Sequence, residues 1–182
     1  MSKTVGIGIT GGIAAYKIAD LVSKLKKDNL DVIVIMTEGA TKFITPLTLK
    51  TLSGREVITD LWSGSRELKV QHIGIAEQLD LLVIAPATAN FIAKMANGLA
   101  DDFLSTTAVA VTAPVLVVPS MNTNMFKNSI VQKNIKTLLD CGYHVMDPDS
   151  GLLAVGTIGK GRLPDVEDIH QEIIKLLITE AD

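Results

Sequence analysis

Cysteine is almost missing from this sequence: Cys141 stands alone among 182 residues. A single thiol excludes an intrachain disulfide and any cysteine-built zinc site, and it fits a reducing cytosol. Aromatic residues are scarce, at 4%. No charge of one sign dominates: 17 Lys and Arg face 20 Asp and Glu, a formal net charge of −3 with a pI near 5.6. Without a broad basic field, neither nucleic acid nor an anionic membrane is an expected partner. Long apolar runs are missing as well. Pro, Thr or Asp interrupts each one short of the roughly 20 residues a bilayer span needs, and the first residues show no charged-then-apolar signal pattern. The expectation is a cytoplasmic protein with small-molecule ligands.

What is present is 47% hydrophobic and 20% charged residues, enough for the core of one α/β domain spanning 1–182. Short β-branched runs alternate with segments of helical period. Val5 to Ile9, Asp31 to Met36, Leu81 to Ala85, Val115 to Val118 and Tyr143 to Met146 read as strands, with a further short one at Val57 to Leu61. Between them, Ala14 to Lys27, Thr41 to Leu52, Thr88 to Asn97, Asp101 to Ala113, Ser129 to Cys141 and Val166 to Thr179 read as helices. The alternation implies a parallel sheet covered on both faces, an α/β Rossmann-like three-layer sandwich whose ligands sit at the carboxyl ends of the strands. Residues 147–164, rich in Gly and Pro but with apolar content, read as a loop-like flap. Asp101 and Asp102 read as helix-capping acids, Cys141 as a small passive hydrophobe at a helix end, and Trp62 as a loop anchor.

The first strand runs through Thr10-Gly11-Gly12 into a helix, a geometry that aims backbone N–H groups and the helix dipole at a phosphate. Gly6, Gly8 and Gly11 also spell the dinucleotide pattern G-x-G-x-x-G. Its phase is wrong, because Gly6 and Gly8 alternate with Val5, Ile7 and Ile9 and so belong inside the strand. Asp31 stands at the start of the next strand, and Glu38 beyond its end. A mononucleotide such as FMN is favoured over NAD(P), and a purely structural turn is the third alternative.

Four segments stand together: Gly11-Gly-Ile-Ala-Ala-Tyr-Lys17, His72-Ile, Ala85-Pro-Ala-Thr-Ala-Asn90 and Pro119-Ser-Met-Asn-Thr-Asn-Met125, with Met36-Thr-Glu, Ile44 to Leu49 and Gly98 to Thr106 between them. In this order they resemble the homo-oligomeric flavin-containing cysteine decarboxylases, the closest likeness being to the phosphopantothenoylcysteine decarboxylases of coenzyme A biosynthesis. The resemblance implies a flavodoxin-like sheet, assembly as a trimer or a dodecamer, and FMN held between subunits. It places Gly11, Gly12, Ile13, Thr37, Thr88, Ala89 and Asn90, with Ser105 and Thr106, on the cofactor. It makes His72 and Asn122 catalytic, Asn122 gripping the substrate carboxylate, and puts Met125, Ala154 and Val155 beside the substrate. The implied chemistry is oxidation of the thiol-bearing carbon by the flavin, after which loss of CO2 leaves an enethiolate. A histidine near neutrality suits the proton step, and an amide suits orienting a carboxylate.

One position departs from that family's pattern. Phosphopantothenoylcysteine decarboxylases carry Ala-Cys-Gly in the flap, the cysteine donating a proton while reduced flavin returns its electrons. Here the segment reads Ala154-Val155-Gly156. Valine has no proton to give, so the sequence leaves three readings: a cysteine substitution in a phosphopantothenoylcysteine decarboxylase, an enzyme that stops at the enethiol as the peptidyl-cysteine decarboxylases of lantibiotic synthesis do, or a non-catalytic FMN-binding regulatory subunit.

Overall fold

The computed structural model describes residues 2–61, 71–152, 156 and 158–179. Five parallel strands form its centre: β1 (Thr4–Ile9), β2 (Asp31–Met36), β3 (Leu81–Ala87), β4 (Val115–Pro119) and β5 (His144–Val145). Their order is β2-β1-β3-β4-β5, the doubly wound arrangement of flavodoxin-like sheets. β3 and β4 are buried along their whole length, as strands covered on both faces must be.

β1 shows how the sequence builds the layers. Val5, Ile7 and Ile9 face one way and pack with α1 (Ile18–Lys27) and α8 (Val166–Thr179), through Ile18, Leu21, Val22, Ile169 and Ile173. The opposite face carries Gly6 and Gly8 after Thr4 at the strand's start. A Cβ on Gly6 would stand 2.7 Å from Leu79 Cδ1, and one on Gly8 2.5 Å from Leu104 Cδ1. These glycines let Leu79 and Leu104 reach the backbone of the central strand, and they lie in the strand as the alternation requires. That second face is completed by α4 (Ala89–Ala96), α5 (Phe103–Ala110) and α7 (Ser129–Asp140), through Phe91, Ile92, Phe103, Ile135 and Leu138.

Local chemistry sets the helix starts. Pro46 opens α2 (Pro46–Ser53), where its missing N–H is not needed, and Gly54 closes it at φ 74°. Thr88 caps α4, its hydroxyl accepting from Phe91 N–H. Asp102 and Ser105 form a reciprocal capping box at α5. Lys94 of α4 donates to Asp101 (2.6 Å) and Asp102 (2.9 Å), joining the two helices and giving the acid pair its capping and ion-pairing role. Burial opposes the charge on Lys94, but these two partners hold its ammonium above the ordinary lysine range, and the bond to Lys94 holds Asp101 below the usual carboxylate range.

Several boundaries differ from the sequence reading. The first helix begins as a 3-10 turn, Ile13–Lys17, before α1, and Ala40–Lys42 is a separate 3-10 turn ahead of α2. Val57 to Leu61 makes only one bridge, Ile58 with Ile35, since the segment touches the edge of β2 and turns away. The remaining helices are α3 (Gln71–Gln78) and the short α6 (Thr123–Lys127). Cys141 is exposed at the C-cap of α7 and therefore is not a packing residue. Trp62 lies outside the described residues.

The flap is the largest correction. Instead of a loop, Asp149–Leu152 (β6) and Ile158–Arg162 (β7) pair antiparallel as a hairpin. Its seat is the segment after β4: Met121 N–H donates to Gly161 O at 2.9 Å. Gly161 has φ +141°, and a Cβ there would stand 2.3 Å from Met121 O, so only glycine permits this approach.

Candidate active site at the carboxyl ends of β1 and β3

A cavity of about 580 Å3 opens where the strand order reverses, beyond the ends of β1 and β3, where doubly wound sheets bind ligands. Three chain segments and the hairpin build it. Gly11, Gly12 and Ile13 follow β1, Thr88 and Ala89 follow β3, and Ser120, Met121, Asn122 and Met125 follow β4. Leu152 and Arg162 close it from β6 and β7.

Thr10 locks the first two segments together. Its buried hydroxyl donates to Pro86 O (2.6 Å) and accepts from Thr88 N–H (3.0 Å). The Ala85–Pro86 peptide is cis, and the β3–β4 register is irregular between Ile84 and Ala87. Gly11 and Gly12 then serve different ends. A Cβ on Gly11 would stand 3.0 Å from the Gly39 backbone, so this glycine lets the turns after β1 and β2 touch. Among the described residues, a Cβ on Gly12 would meet only Thr88 Cγ2, at 3.8 Å. Gly12 thus leaves room for a ligand beside backbone N–H groups, which suits an anion.

Asn122 brings a different capability. It is the N-cap of α6, and its Oδ1 accepts from Asn124 N–H at 2.8 Å. That bond fixes the side chain and leaves the amide NH2 as the group available to the cavity, a donor suited to a carboxylate. Anion cradle and amide donor therefore share one enclosure.

A family model described as Flavoprotein matches residues 1–178. The chain belongs to the flavoprotein family. It is 46% identical over 168 residues to the coenzyme A biosynthesis bifunctional protein CoaBC of Bacillus subtilis, covering 92% of this chain and 41% of that protein. To the protein of the same name from Haemophilus influenzae it is 44% identical over 180 residues, covering 99% and 45%. The chain thus spans less than half the length of these curated relatives. Among solved structures it is similar to a PPC decarboxylase mutant complexed with pantothenoylaminoethenethiol, with TM-score 0.86 and 28% identity, covering 96% of this chain and 97% of that one. The FMN-dependent cysteine decarboxylase SpaF gives 0.85 and 27%, covering 99% and 98%. Peptidyl-cysteine decarboxylase EpiD gives 0.78 and 26%, covering 96% and 99%.

Of the residues that the flavoprotein resemblance singles out, Gly11, Gly12, Ile13, Thr88, Ala89, Asn122 and Met125 line the cavity. Others stand apart from it. Thr37 is tied to the end of β1, its hydroxyl lying 3.4 Å from Ile9 O and 3.3 Å from Ala40 N. Asn90 is exposed in the first turn of α4. Ser105 is buried and spent on the capping box, and Thr106 donates back to Asp102 O at 2.7 Å. His72 meets the edge of Phe103 at 6.4 Å between ring centres, and Phe103 lines a second cleft with Glu38, Asp60, Asp101 and Asp102. Ala154 and Val155 lie outside the described residues.

The sequence reading missed Thr10 and Gly39 as the fasteners of the site, and Lys17 and Arg162 as its charges. Arg162 had a signal, the Gly159-Lys-Gly-Arg162 run, but nothing in one sequence pairs that run with Met121.

Proposed function

We propose that this chain is an FMN-dependent decarboxylase of a cysteine-derived carboxylate, with 4'-phosphopantothenoylcysteine of coenzyme A biosynthesis as substrate. What carries this reading is a single enclosure holding both the glycine turn and the free amide of Asn122. Gly11, Gly12, Ile13, Thr88 and Ala89 would hold FMN, the Gly12 side supplying room and backbone N–H groups for its phosphate. When bound, FMN supplies the two-electron oxidation that makes loss of CO2 from the substrate feasible. Asn122 orients the carboxylate by donating through its amide, while Met125 and the apolar cavity wall exclude water from it. His72 serves the proton transfer.

His72 reaches that cavity from a second copy of the chain. Ile13, Tyr16 and Met125 all line the cavity, yet 58%, 56% and 48% of their surfaces are exposed, an apolar rim that a neighbouring subunit would cover. The assembly is a homo-oligomer, a trimer or a dodecamer of the same contacts, in the cytoplasm.

Val155 specifies where the reaction ends. With no thiol in the flap to return a proton, the product leaves as the enethiol. Mass spectrometry of an anaerobic single turnover tests this: one equivalent of decarboxylated, two-electron-oxidised product per FMN is expected, together with bleaching of the flavin. Unchanged substrate would sink the reading. The same valine favours a second substrate class, a peptide with a C-terminal cysteine, and consumption of such a peptide alone would move the assignment there.

A further inference from the structure

The chain is acidic overall, yet among the described residues the charged ones lining the active-site cavity are Lys17 and Arg162, with no Asp or Glu. An anionic ligand with more than one negative group suits such an enclosure. Lys17 follows the glycine turn. Arg162 belongs to a different wall, at the end of β7, and three features fix its place.

Gly161 comes first: its carbonyl accepts from Met121 N–H, one residue before Asn122, with no room for a Cβ between the two strands of chain. Arg162 is thereby held beside the segment that carries the carboxylate-orienting amide. Across the hairpin lies Gly151, whose missing Cβ would come within 3.4 Å of Arg162 Cδ and Nη1, so a larger residue would crowd the side chain. Finally, Nη2 donates to Asp165 Oδ1 at 3.0 Å. That pair is open to water, with 41% and 65% of its side chains exposed, so it orients the guanidinium at little energetic consequence. A guanidinium has five N–H donors in a planar fork. One pairing leaves the others free for a planar or tetrahedral oxyanion.

We propose that Arg162 reads the phosphoryl group of the substrate and so selects phosphorylated over unphosphorylated substrates. This rests on the decarboxylase reading above. The cofactor's phosphate has its own donors at Gly12, whereas Arg162 is tied by backbone to the Asn122 segment. A phosphoryl group is therefore assigned to each cationic or N–H-lined wall, the cofactor's to the turn and the substrate's to the hairpin.

The test compares wild type, Arg162→Gln and Arg162→Lys on 4'-phosphopantothenoylcysteine and on pantothenoylcysteine. Single-turnover kcat/KM is measured for each, with the Kd of both compounds from flavin difference spectra and the FMN content from absorbance. Wild type should prefer the phosphorylated compound by about 10- to 100-fold, the worth of charge-assisted hydrogen bonds to one anion. In Arg162→Gln that preference should collapse towards one, through KM and Kd of the phosphorylated compound, and Arg162→Lys should restore part of it. Equal loss on both compounds, no preference in wild type, or loss of FMN instead of selectivity would overturn the proposal. If wild type consumes neither compound, the decarboxylase reading fails, and the two Kd values still decide whether Arg162 discriminates the phosphoryl group.

Discussion

Gly11 and Gly12 are neighbours that are glycine for opposite reasons, and replacing each by alanine separates the cofactor cradle from the fold. At Gly12 the backbone is extended, with φ −149° and ψ 155°, which alanine adopts without strain, and the new methyl meets only Thr88 Cγ2 at 3.8 Å. Restricting the unfolded chain should then raise stability by about 0.4–1 kcal/mol. In a domain of this size that corresponds to about 1–4 °C in Tm. The same methyl projects into the cavity where the phosphate of the flavin would sit. Losing one charge-assisted hydrogen bond there weakens binding by about 1.5–3 kcal/mol, roughly 10- to 100-fold in Kd.

At Gly11 the methyl meets the Gly39 carbonyl carbon and Cα, both at 3.0 Å. Backbone cannot rotate aside as a side chain can, so overpacking should cost about 1–3 kcal/mol. Tm should fall by about 2–12 °C. The assay pairs thermal unfolding with FMN titration followed by quenching of flavin fluorescence. Gly12→Ala should unfold at or above the wild-type temperature while binding FMN poorly, and Gly11→Ala should unfold early. A Gly12→Ala protein that binds FMN within threefold of wild type would refute the cradle, and a Gly11→Ala protein of undiminished Tm would refute the turn-to-turn packing.

Three further outcomes follow from the structure. Asn122→Asp keeps an α6 cap, since aspartate accepts from Asn124 N–H equally well, but sets a carboxylate against the substrate's own, so decarboxylation should fall by about 100-fold or more while Tm stays near wild type. Co-expressing Asn122→Asp chains with inactive His72→Asn chains should restore up to about a quarter of the wild-type sites, because mixed neighbours can pair an intact cavity with an intact imidazole; activity no greater than the sum of the separate variants would place both residues in one chain. The Lys94 clamp sets a pH window. Asp101 is depressed, so its contribution is complete above about pH 4 and is lost as pH falls through the folded value; Lys94 is raised, so its contribution is complete below about pH 10 and is lost as pH rises past the folded value. Urea midpoints measured across pH should flatten at both ends in Lys94→Met, and an unaltered profile would show that the clamp adds nothing to stability.

Much of this architecture is legible in the chain because each cue is local. The β-branched run Asp31 to Met36 and the helix Val166 to Thr179 match the structure residue for residue, since two-sided burial and an apolar stripe leave plain periodicities. The phase of Gly6 and Gly8 against Val5, Ile7 and Ile9 separates a packed strand from a dinucleotide turn for the same reason. The hairpin β6–β7 is not legible that way. Its strands are short, glycine-rich and half exposed, and what holds them is the backbone of Met121, distant in sequence. Thr10 is hidden likewise: one threonine in a glycine turn carries no sign that its hydroxyl ties together Pro86 and Thr88.

The separation of His72 from Asn122 has a cause in the packing of β1 against β2. Gly11 lines the active-site cavity, and Glu38 and Thr41 line the second cleft with Phe103, the ring that His72 contacts. Between the two lies the turn after β2, pressed against Gly11 closely enough that a methyl group would not fit. Thr37 pins that turn at both ends, through Ile9 O and Ala40 N. In the proposed assembly, a neighbouring copy presented to the apolar rim of Ile13, Tyr16 and Met125 would bring an imidazole to the cavity from outside and leave the Gly11–Gly39 contact undisturbed.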